Sequence, residues 1–443
     1  MASAHTDSPL PDYEDDESQP LPLYSQTVGS SECLLQTETP RRRDCPTCEW
    51  MFSTKRIVVN LGHRLWKTSG PAYGLGSRID GAVKVNDTKH RLASITVTLE
   101  GRLKSSVPEK LPTGDEQSSA FLSHMMSIYD ASKDGDFNAP AEIPFSFPFP
   151  THLRYKGEER PCPPSFSYAD VHFICEISYS LRFDVSWNSN LSKKLKKSES
   201  KAISIYYLPK TSPTIPPLCI LPPASRHLEN PPLFLQGSER MDSFPIAPAF
   251  RPTDRPIKLT KQQRLHLKSL ENSVYLSLPV PATFTSGQQI PFMISLSFPD
   301  NPYISEMLSC RPEVQLLKQV GLNRKADGVI GSTIERNIPL STATIRKSSG
   351  WCEGVVVLKG EIQAGDAGTE SSWLLSDVAH VQYILRVSLK PPRSLSEHVP
   401  SFVSDTVIKL TTSSWGSVER EMASSGGSTT PAVNLASNLR RLY

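Results

Sequence analysis

Two cysteines, Cys45 and Cys48, have the spacing in this chain that most directly suggests chemistry. They form a Cys-Pro-Thr-Cys motif just after three arginines at 41–43. Such a pair can supply half of a zinc site or a thiol–disulfide couple. A zinc site needs two more ligands at regular spacing, but the next cysteine is Cys162 and no histidine pair lies nearby. A redox pair belongs at a helix N-terminus after a strand, which this Pro- and Ser-rich stretch does not predict. We therefore expect no metal, no redox role and no cofactor.

Other catalytic signatures were sought in the same way. The chain has no nucleophile elbow, no paired catalytic carboxylates, no HExxH motif and no phosphate-binding loop, and its histidines have no companion motif. The glycines of Tyr73-Gly-Leu-Gly76 indicate a turn and are not followed by a helix. We therefore expect a protein that is not an enzyme. An enzyme built on a β-sandwich stays open as a weaker alternative, and it would need a metal ion.

Composition narrows the class of protein further. The 443 residues carry a formal charge of +3, which gives no bulk reason to expect a nucleic-acid partner. The N-terminus lacks the basic-then-apolar pattern of a signal peptide, and no apolar run approaches the ~18 residues of a membrane span. The eight cysteines are scattered rather than arranged as a disulfide framework. We expect a cytoplasmic protein.

Two similar tetrapeptides suggest recognition rather than catalysis. They are Leu10-Pro11-Asp12-Tyr13 and Leu21-Pro22-Leu23-Tyr24, within a segment, 1–50, that is predicted to be disordered because it is rich in Pro, Ser and acid. In each, the proline presets an extended backbone and the tyrosine ring can fill an aromatic pocket. The plain alternative is a Pro-rich segment that contains tyrosine by chance, since each match has only three fixed letters.

The acidic run at 12–17 either meets a basic partner or is simply solvated.

A basic loop at 192–201 is the second candidate for recognition. Its lysines could contact a phosphorylated or lipid-headgroup partner through their charge. The alternative is a solvated hairpin loop between two strands. The candidate residues are Lys193, Lys194, Lys196 and Lys197.

The element that must organise this chain is the stretch Phe173–Trp187. Every second residue in it is apolar or aromatic, and the residues between are polar after the first, which predicts one long strand with a dry face. Such a strand needs partners on both edges and a second sheet over the dry face. Further strand patterns before residue 208 include 56–61, 79–85, 92–103, 143–150 and 202–208, without a convincing helix. The prolines around 143–150 suit an edge strand or the ends of a strand.

The rest of the chain repeats this organisation. Residues 209–260 are Pro-rich and are predicted to be a linker. Strand patterns resume at 273–279, 290–298, 314–320, 354–362, 381–389 and 404–412. The fold class is therefore all-β, with one sandwich at 51–208, a second at 261–412 and a loose tail at 413–443.

Several of these stretches resemble the arrestin-like proteins, and fungal members in particular. Residues 71–85, PAYGLGSRIDGAVKV, are similar to an arrestin turn followed by a strand with a central glycine. ITVTLEGRL is similar to the next strand. The succession IPFSFPFP, CPPSF and ISYSLRFDV resembles the most recognisable run of that family. IPFMISLSF and YILRVSLKPP resemble strands of its C-domain.

The resemblance implies two immunoglobulin-like β-sandwich domains and an adaptor function. α-Arrestins carry Pro-Pro-x-Tyr or Leu-Pro-x-Tyr motifs that dock in WW domains of HECT-type ubiquitin ligases. It thus implies that Leu10, Pro11, Tyr13, Leu21, Pro22 and Tyr24 dock a ligase while the sandwiches hold membrane-protein cargo, with recruitment to the plasma membrane or endosomes. The alternative is a scaffold of the same fold in endosomal sorting or signalling, with no ligase link.

Overall fold

The computed structural model describes residues 49–87, 91–106, 117–134, 141–155, 157–188, 197–218, 221, 240–249, 260–326, 329–352, 354–396 and 398–442. These residues form mainly antiparallel β-structure, which confirms the predicted all-β class. None of the described helices is both long and apolar enough to cross a membrane.

Twelve strands and one short helix form the part of the chain that we call the N-terminal half, residues 49–208. They are β1 (Glu49–Ser53), β2 (Ile57–His63), β3 (Ala72–Tyr73), β4 (Arg78–Val85), β5 (Arg91–Ser106), β6 (Gln117–Asp130), α1 (Ala131–Asp134), β7 (Ala141–Pro148), β8 (His152–Tyr155), β9 (Glu158–Pro161), β10 (Phe166–Ala169), β11 (Ile174–Asn188) and β12 (Lys197–Tyr207). One sheet has the order β1-β2-β4-β7, and a larger one has the order β3-β12-β11-β5-β6, with β10 also paired to β11. Strand β7 thus lies at a sheet edge, one of the two placements that its prolines suit.

Strand β11 is the centre of the larger sheet, as its pattern predicted. It pairs with β5 along one edge and with β12 and β10 along the other. All eight side chains of its dry face are almost completely buried: Phe173, Cys175, Ile177, Tyr179, Leu181, Phe183, Val185 and Trp187. The smaller sheet packs over this face, where the rings of Phe145 and Phe183 lie 5.5 Å apart. The arrangement buries both sheets in one core.

A second set of elements forms the C-terminal half, residues 240–412. They are β13 (Met241–Pro245), β14 (Pro248–Ala249), α2 (Lys261–Ser269), β15 (Val274–Pro279), β16 (Thr283–Thr285), β17 (Gln289–Ser297), α3 (Pro302–Ser309), β18 (Pro312–Ala326), β19 (Val329–Thr342), β20 (Thr344–Cys352), β21 (Val355–Gln363), β22 (Trp373–Leu375), β23 (Ala379–Leu389), a 3₁₀ turn (Arg393–Leu395) and β24 (Ser401–Thr411). The sheet orders are β13-β15-β17-β21-β20 and β14-β24-β23-β18-β19, the latter joined by β16 and β22. Among the described strands, each half pairs only within itself.

The structure differs from the predicted linker at 209–260. Residues 241–245 and 248–249 are short strands that pair with β15 and β24. Prolines are tolerated there because both strands lie at sheet edges. Met241 and Ile246 are buried in this region, and they provide apolar contacts that its high proline content did not predict.

The predicted loose tail at 413–443 also differs from the structure. It contains helix α4 (Ser417–Ser424) and a 3₁₀ helix (Val433–Leu442), and we call residues 413–442 the C-terminal segment. The Ala432 N–H donates to the Leu208 carbonyl at 2.8 Å, and Leu208 and Leu435 form a separate small apolar cluster. Ala432 and Leu435 of this segment are therefore buried against the N-terminal half, which its polar composition did not suggest.

Candidate functional site: the junction of the two halves

The two halves meet where the connection before β10 and the turn after it face strands β18, β19 and β23. We call this contact the junction. Its N-terminal side is positioned by the two tyrosines of the long strands. The Tyr179 hydroxyl of β11 donates to the Pro163 carbonyl at 2.6 Å, and the Ser165 N–H donates to the Tyr207 carbonyl of β12 at 2.8 Å. Burial raises the pKa of Tyr179 well above its usual value, so this donor stays neutral.

Phe166, the first residue of β10, directly follows this fixed connection and contacts the other half. The Phe166 ring contacts Trp373 edge-on, with 5.1 Å between ring centroids. The Lys318 ammonium also lies 5.8 Å from the centroid of the Phe166 ring. These three residues line a small pocket together with Ser165 and Tyr383. The junction is thus apolar at its centre, with a cation at one wall.

That cation belongs to a buried polar cluster in the C-terminal half. The Lys318 ammonium lies 2.8 Å from Glu370 Oε2, and the two side chains are only 9% and 8% exposed. The Tyr383 hydroxyl donates to the same oxygen at 2.7 Å and accepts from the Ser371 N–H at 3.1 Å. Burial, followed by the nearby Glu370 charge, raises the pKa of Tyr383 well above its usual value. Such extra hydrogen bonds are what a buried ion pair requires to offset the loss of water.

A second ion pair crosses the junction itself. Arg336 of β19 places Nε 3.3 Å from Asp170 Oδ2 in the turn between β10 and β11. Asp170 Oδ1 also accepts from the His172 and Phe173 N–H groups at 2.8 and 2.9 Å, which closes the turn. Burial alone would raise the pKa of Asp170, but the two N–H groups, the Tyr168 hydroxyl and Arg336 together lower it. The carboxylate therefore stays ionised and paired.

The C-terminal segment adds a third polar contact beside the junction. The Lys210 ammonium lies 3.0 Å from Glu421 Oε2 and 2.8 Å from the Thr430 hydroxyl. Burial would raise the pKa of Glu421, but hydrogen bonds from Thr430 and Lys210 outweigh it and lower that pKa. The backbone of 427–430 passes so close to Gly74 and Gly76 that a Cβ at either glycine would overlap it. The C-terminal segment therefore packs directly against the Tyr-Gly-Leu-Gly turn, which requires glycine at both positions.

The residues predicted from sequence fall elsewhere. Leu10, Pro11, Tyr13, Leu21, Pro22 and Tyr24 lie outside the described residues, as do the Cys45–Cys48 motif, the acidic run at 12–17 and Lys193, Lys194 and Lys196. Lys197 begins β12, but its side chain is also outside the described part. The structure does show that Trp187 of β11 is directly opposite Lys197. Residues 197–201 of the predicted loop therefore belong to strand β12, which pairs antiparallel with β11.

Sequence reasoning missed the charged residues of the junction, although a signal for them exists. In β18, Lys318 falls in phase with the buried residues Leu316 and Val320. In β19, Arg336 falls in phase with Ile334 and Ile338, directly across from Val320. A cation on the dry face of a strand needs a carboxylate from another element. The cations at these two positions therefore indicated a contact with another element, which the apolar pattern alone did not indicate.

The described residues contain no group of three or more histidine, cysteine or acidic side chains that could hold a metal ion. At the junction, Lys318, Arg336 and Asp170 each face an opposite charge, so the arrangement is suited to holding surfaces together. No protein-family model matches the chain, and no curated protein matches it either.

Proposed function

We propose that this chain is an arrestin-like adaptor that links membrane-protein cargo to a ubiquitin ligase or to endocytic machinery. In this proposal, residues 51–208 and 261–412 correspond to the N- and C-domains of the arrestin fold. The protein would work in the cytoplasm and be recruited to the plasma membrane or endosomes. Its partners would be cargo on the sheets and a HECT-type ligase, through its WW domains, on the two Leu-Pro-x-Tyr motifs.

The observation that carries this proposal is the junction. Two successive pairs of antiparallel sheets contact each other through Phe166, Trp373 and the Asp170–Arg336 pair. An adaptor must keep two binding regions in a fixed relation, and a contact with matched charges serves that purpose. Exposed edge strands and sheet faces also suit the docking of extended segments of other chains.

The test is capture of tandem WW domains by the full chain. We expect the parent protein to bind with micromolar affinity, because proline-preset motifs give modest affinity each and two motifs act together. Tyr13→Ala combined with Tyr24→Ala should abolish binding, since each tyrosine would fill the second pocket of its docking groove. The measurement is titration calorimetry.

The matched control changes the variable position of the same motifs. Asp12→Ala combined with Leu23→Ala keeps Leu, Pro and Tyr in both copies and should bind like the parent. Equal binding by the double tyrosine variant would contradict ligase docking. That result would favour the second candidate, a scaffold in endosomal sorting or signalling with no ligase link, and would direct attention to the sheets and to the loop at 192–201.

A further inference from the structure

Strand β6 is a sheet edge with no described strand paired along its outer side. It lies at the end of its sheet and pairs only with β5 among the described strands. Ser123, His124 and Met125 are consecutive and all exposed. Because neighbouring side chains of a strand point to opposite faces, both sides of the strand are open to water here. Its free backbone groups are therefore accessible to another strand.

The accessible part has a regular backbone. The register between β5 and β6 shifts at two places, which leaves Phe121 and Ile128 without directly opposite residues. Between these bulges, residues 122–127 pair one-to-one with β5. We call this stretch, Leu-Ser-His-Met-Met-Ser, the 122–127 segment. Since bulges twist and interrupt an edge, only the stretch between them presents an even ladder of donors and acceptors.

The 122–127 segment also lacks the features that usually protect an edge. Proteins block edge pairing with charged residues, prolines or short strands. Strand β19 is the fair comparison, because it too has fourteen residues and a single described partner. Its regular part, 332–339, contains Glu335, Arg336 and Pro339. The 122–127 segment contains no proline and no acidic, lysine or arginine side chain.

The other sheet edges are protected in similar ways. Strands β1 and β13 have five residues each, and β14 has two. Strand β7 contains Pro144 and Pro148, and β20 contains Arg346 and Lys347. Among the described edges, β6 alone is therefore long, regular in part and undefended.

We propose that the 122–127 segment pairs with the same segment of a second copy of this chain, antiparallel and about a two-fold axis. The partner must be extended, because only a strand satisfies the free edge. An acidic or basic peptide would find no counter-charge on the segment. A second copy meets no like charge opposite its own, and like charges opposite each other are what destabilise cross-strand pairs. Self-pairing is thus the choice that the charges favour.

The expected contact is of a plausible size for a reversible dimer. Because a two-fold axis places residues of the same face opposite each other, about five residues of the segment can pair. They give roughly five backbone hydrogen bonds, at the lower end of the ~10 ± 5 of typical interfaces. A two-fold axis makes the surface self-complementary. The dimer would join two large sheets edge to edge and present two N-terminal halves side by side. Clustered partners would then bind more tightly through effective concentration. This inference does not depend on the ligase link.

The experiment is sedimentation equilibrium of the full chain over a range of concentrations. We expect a monomer–dimer equilibrium for the parent. Met125→Lys should raise the dimer Kd by at least about tenfold, because the substitution enters a two-fold contact twice and places like charges close together. Met125 is 70% exposed, so the fold should tolerate the change. A thermal melt of the variant checks this.

Two further variants make the result specific. Met51→Lys makes the same substitution at a methionine that is 52% exposed, on edge strand β1 of the other sheet. It should leave the dimer Kd unchanged. An equimolar mixture of Met125→Lys and Met125→Glu should recover dimers that the lysine variant alone does not form. A monomeric parent would overturn the proposal. So would a Met125→Lys chain that associates like the parent, or a Met51→Lys chain that is weakened as much.

Discussion

Strands β11 and β18 have the same length, fifteen residues, and each has hydrogen-bonded partners along both edges. Their inward faces nevertheless differ. The inward face of β11 is wholly apolar or aromatic, with the Tyr179 hydroxyl as its one oxygen. The inward face of β18 carries Lys318 between Leu316 and Val320, and that ammonium is buried against Glu370.

The difference follows from what each face covers. The face of β11 lies only over the core of its own half, so apolar side chains suffice. The face of β18 also meets Phe166 of the other half, beside the point where Arg336 meets Asp170. A buried charge is stable only while its partners stay in place. The stability of β18 therefore depends on groups from other elements, while that of β11 depends on packing.

The largest expected effect comes from removing the partner of Lys318. Glu370→Ala leaves a buried ammonium without its carboxylate, which should reduce the free energy of unfolding by about 3–5 kcal/mol. Replacing both, with Lys318→Met and Glu370→Leu, should recover much of that loss because no charge is then buried. The measurement is urea unfolding followed by tryptophan fluorescence.

The matched control is an ion pair on an exposed part of the same sheet. Arg386 and Asp405 are 36% and 42% exposed, so Asp405→Ala should cost about 1 kcal/mol or less. If Glu370→Ala cost no more than Asp405→Ala, β18 would not depend on its charged partner, and the contrast with β11 would fail.

A smaller effect is expected from the one hydroxyl group on the inward face of β11. Tyr179→Phe removes the donor to the Pro163 carbonyl and keeps the ring, so it should cost about 1–3 kcal/mol. It should also loosen the connection that leads to Phe166, which faster amide hydrogen exchange at Ser165 and Phe166 would reveal, since Pro163 and Pro164 have no amide hydrogen. Tyr303→Phe, at a tyrosine that is 80% exposed, is the control and should change neither quantity. An unchanged exchange rate in Tyr179→Phe would show that the hydrogen bond from β11 does not hold the junction in place.

The same contrast explains how far the sequence could predict the fold. The period-two pattern located β11 and its two long partners, β5 and β12, because every buried position of β11 is apolar or aromatic. It did not locate β19, where Arg336 interrupts the row of Ile334 and Ile338. Pattern analysis therefore works where a strand serves only its own core. It weakens where a strand also forms a contact with another part of the chain.

The junction was less predictable than the strands for a second physical reason. The partners of its charges come from distant parts of the chain: Glu370 lies 52 residues after Lys318, and Asp170 lies in the other half from Arg336. Local pattern carries no information on such pairs. The position of the C-terminal segment was equally hard to predict, because the glycine that it contacts, Gly74, appears in the sequence only as a turn signal.

The smallest effect that we predict concerns the second ion pair and its pH dependence. The pKa of Asp170 is lower in the folded protein than its ordinary value. Its carboxylate thus contributes stability that is present above the ordinary aspartate pKa of about 4 and is lost as the pH falls through the lowered value. Asp170→Asn keeps an acceptor for the His172 and Phe173 N–H groups but removes the charge. It should cost about 1 kcal/mol at neutral pH.

The sign of this effect is what tests it. The difference in unfolding free energy between the parent and Asp170→Asn should shrink towards zero as the pH is lowered below about 4, because the parent carboxylate then also becomes neutral. Asp300→Asn, at an exposed aspartate in the loop before α3, should show no such difference at either pH. A gap that persisted in acid would mean that Arg336 does not hold Asp170 through its charge. The crossing between the halves would then rest on Phe166 and Trp373, and its stability, like that of β11, would come from packing.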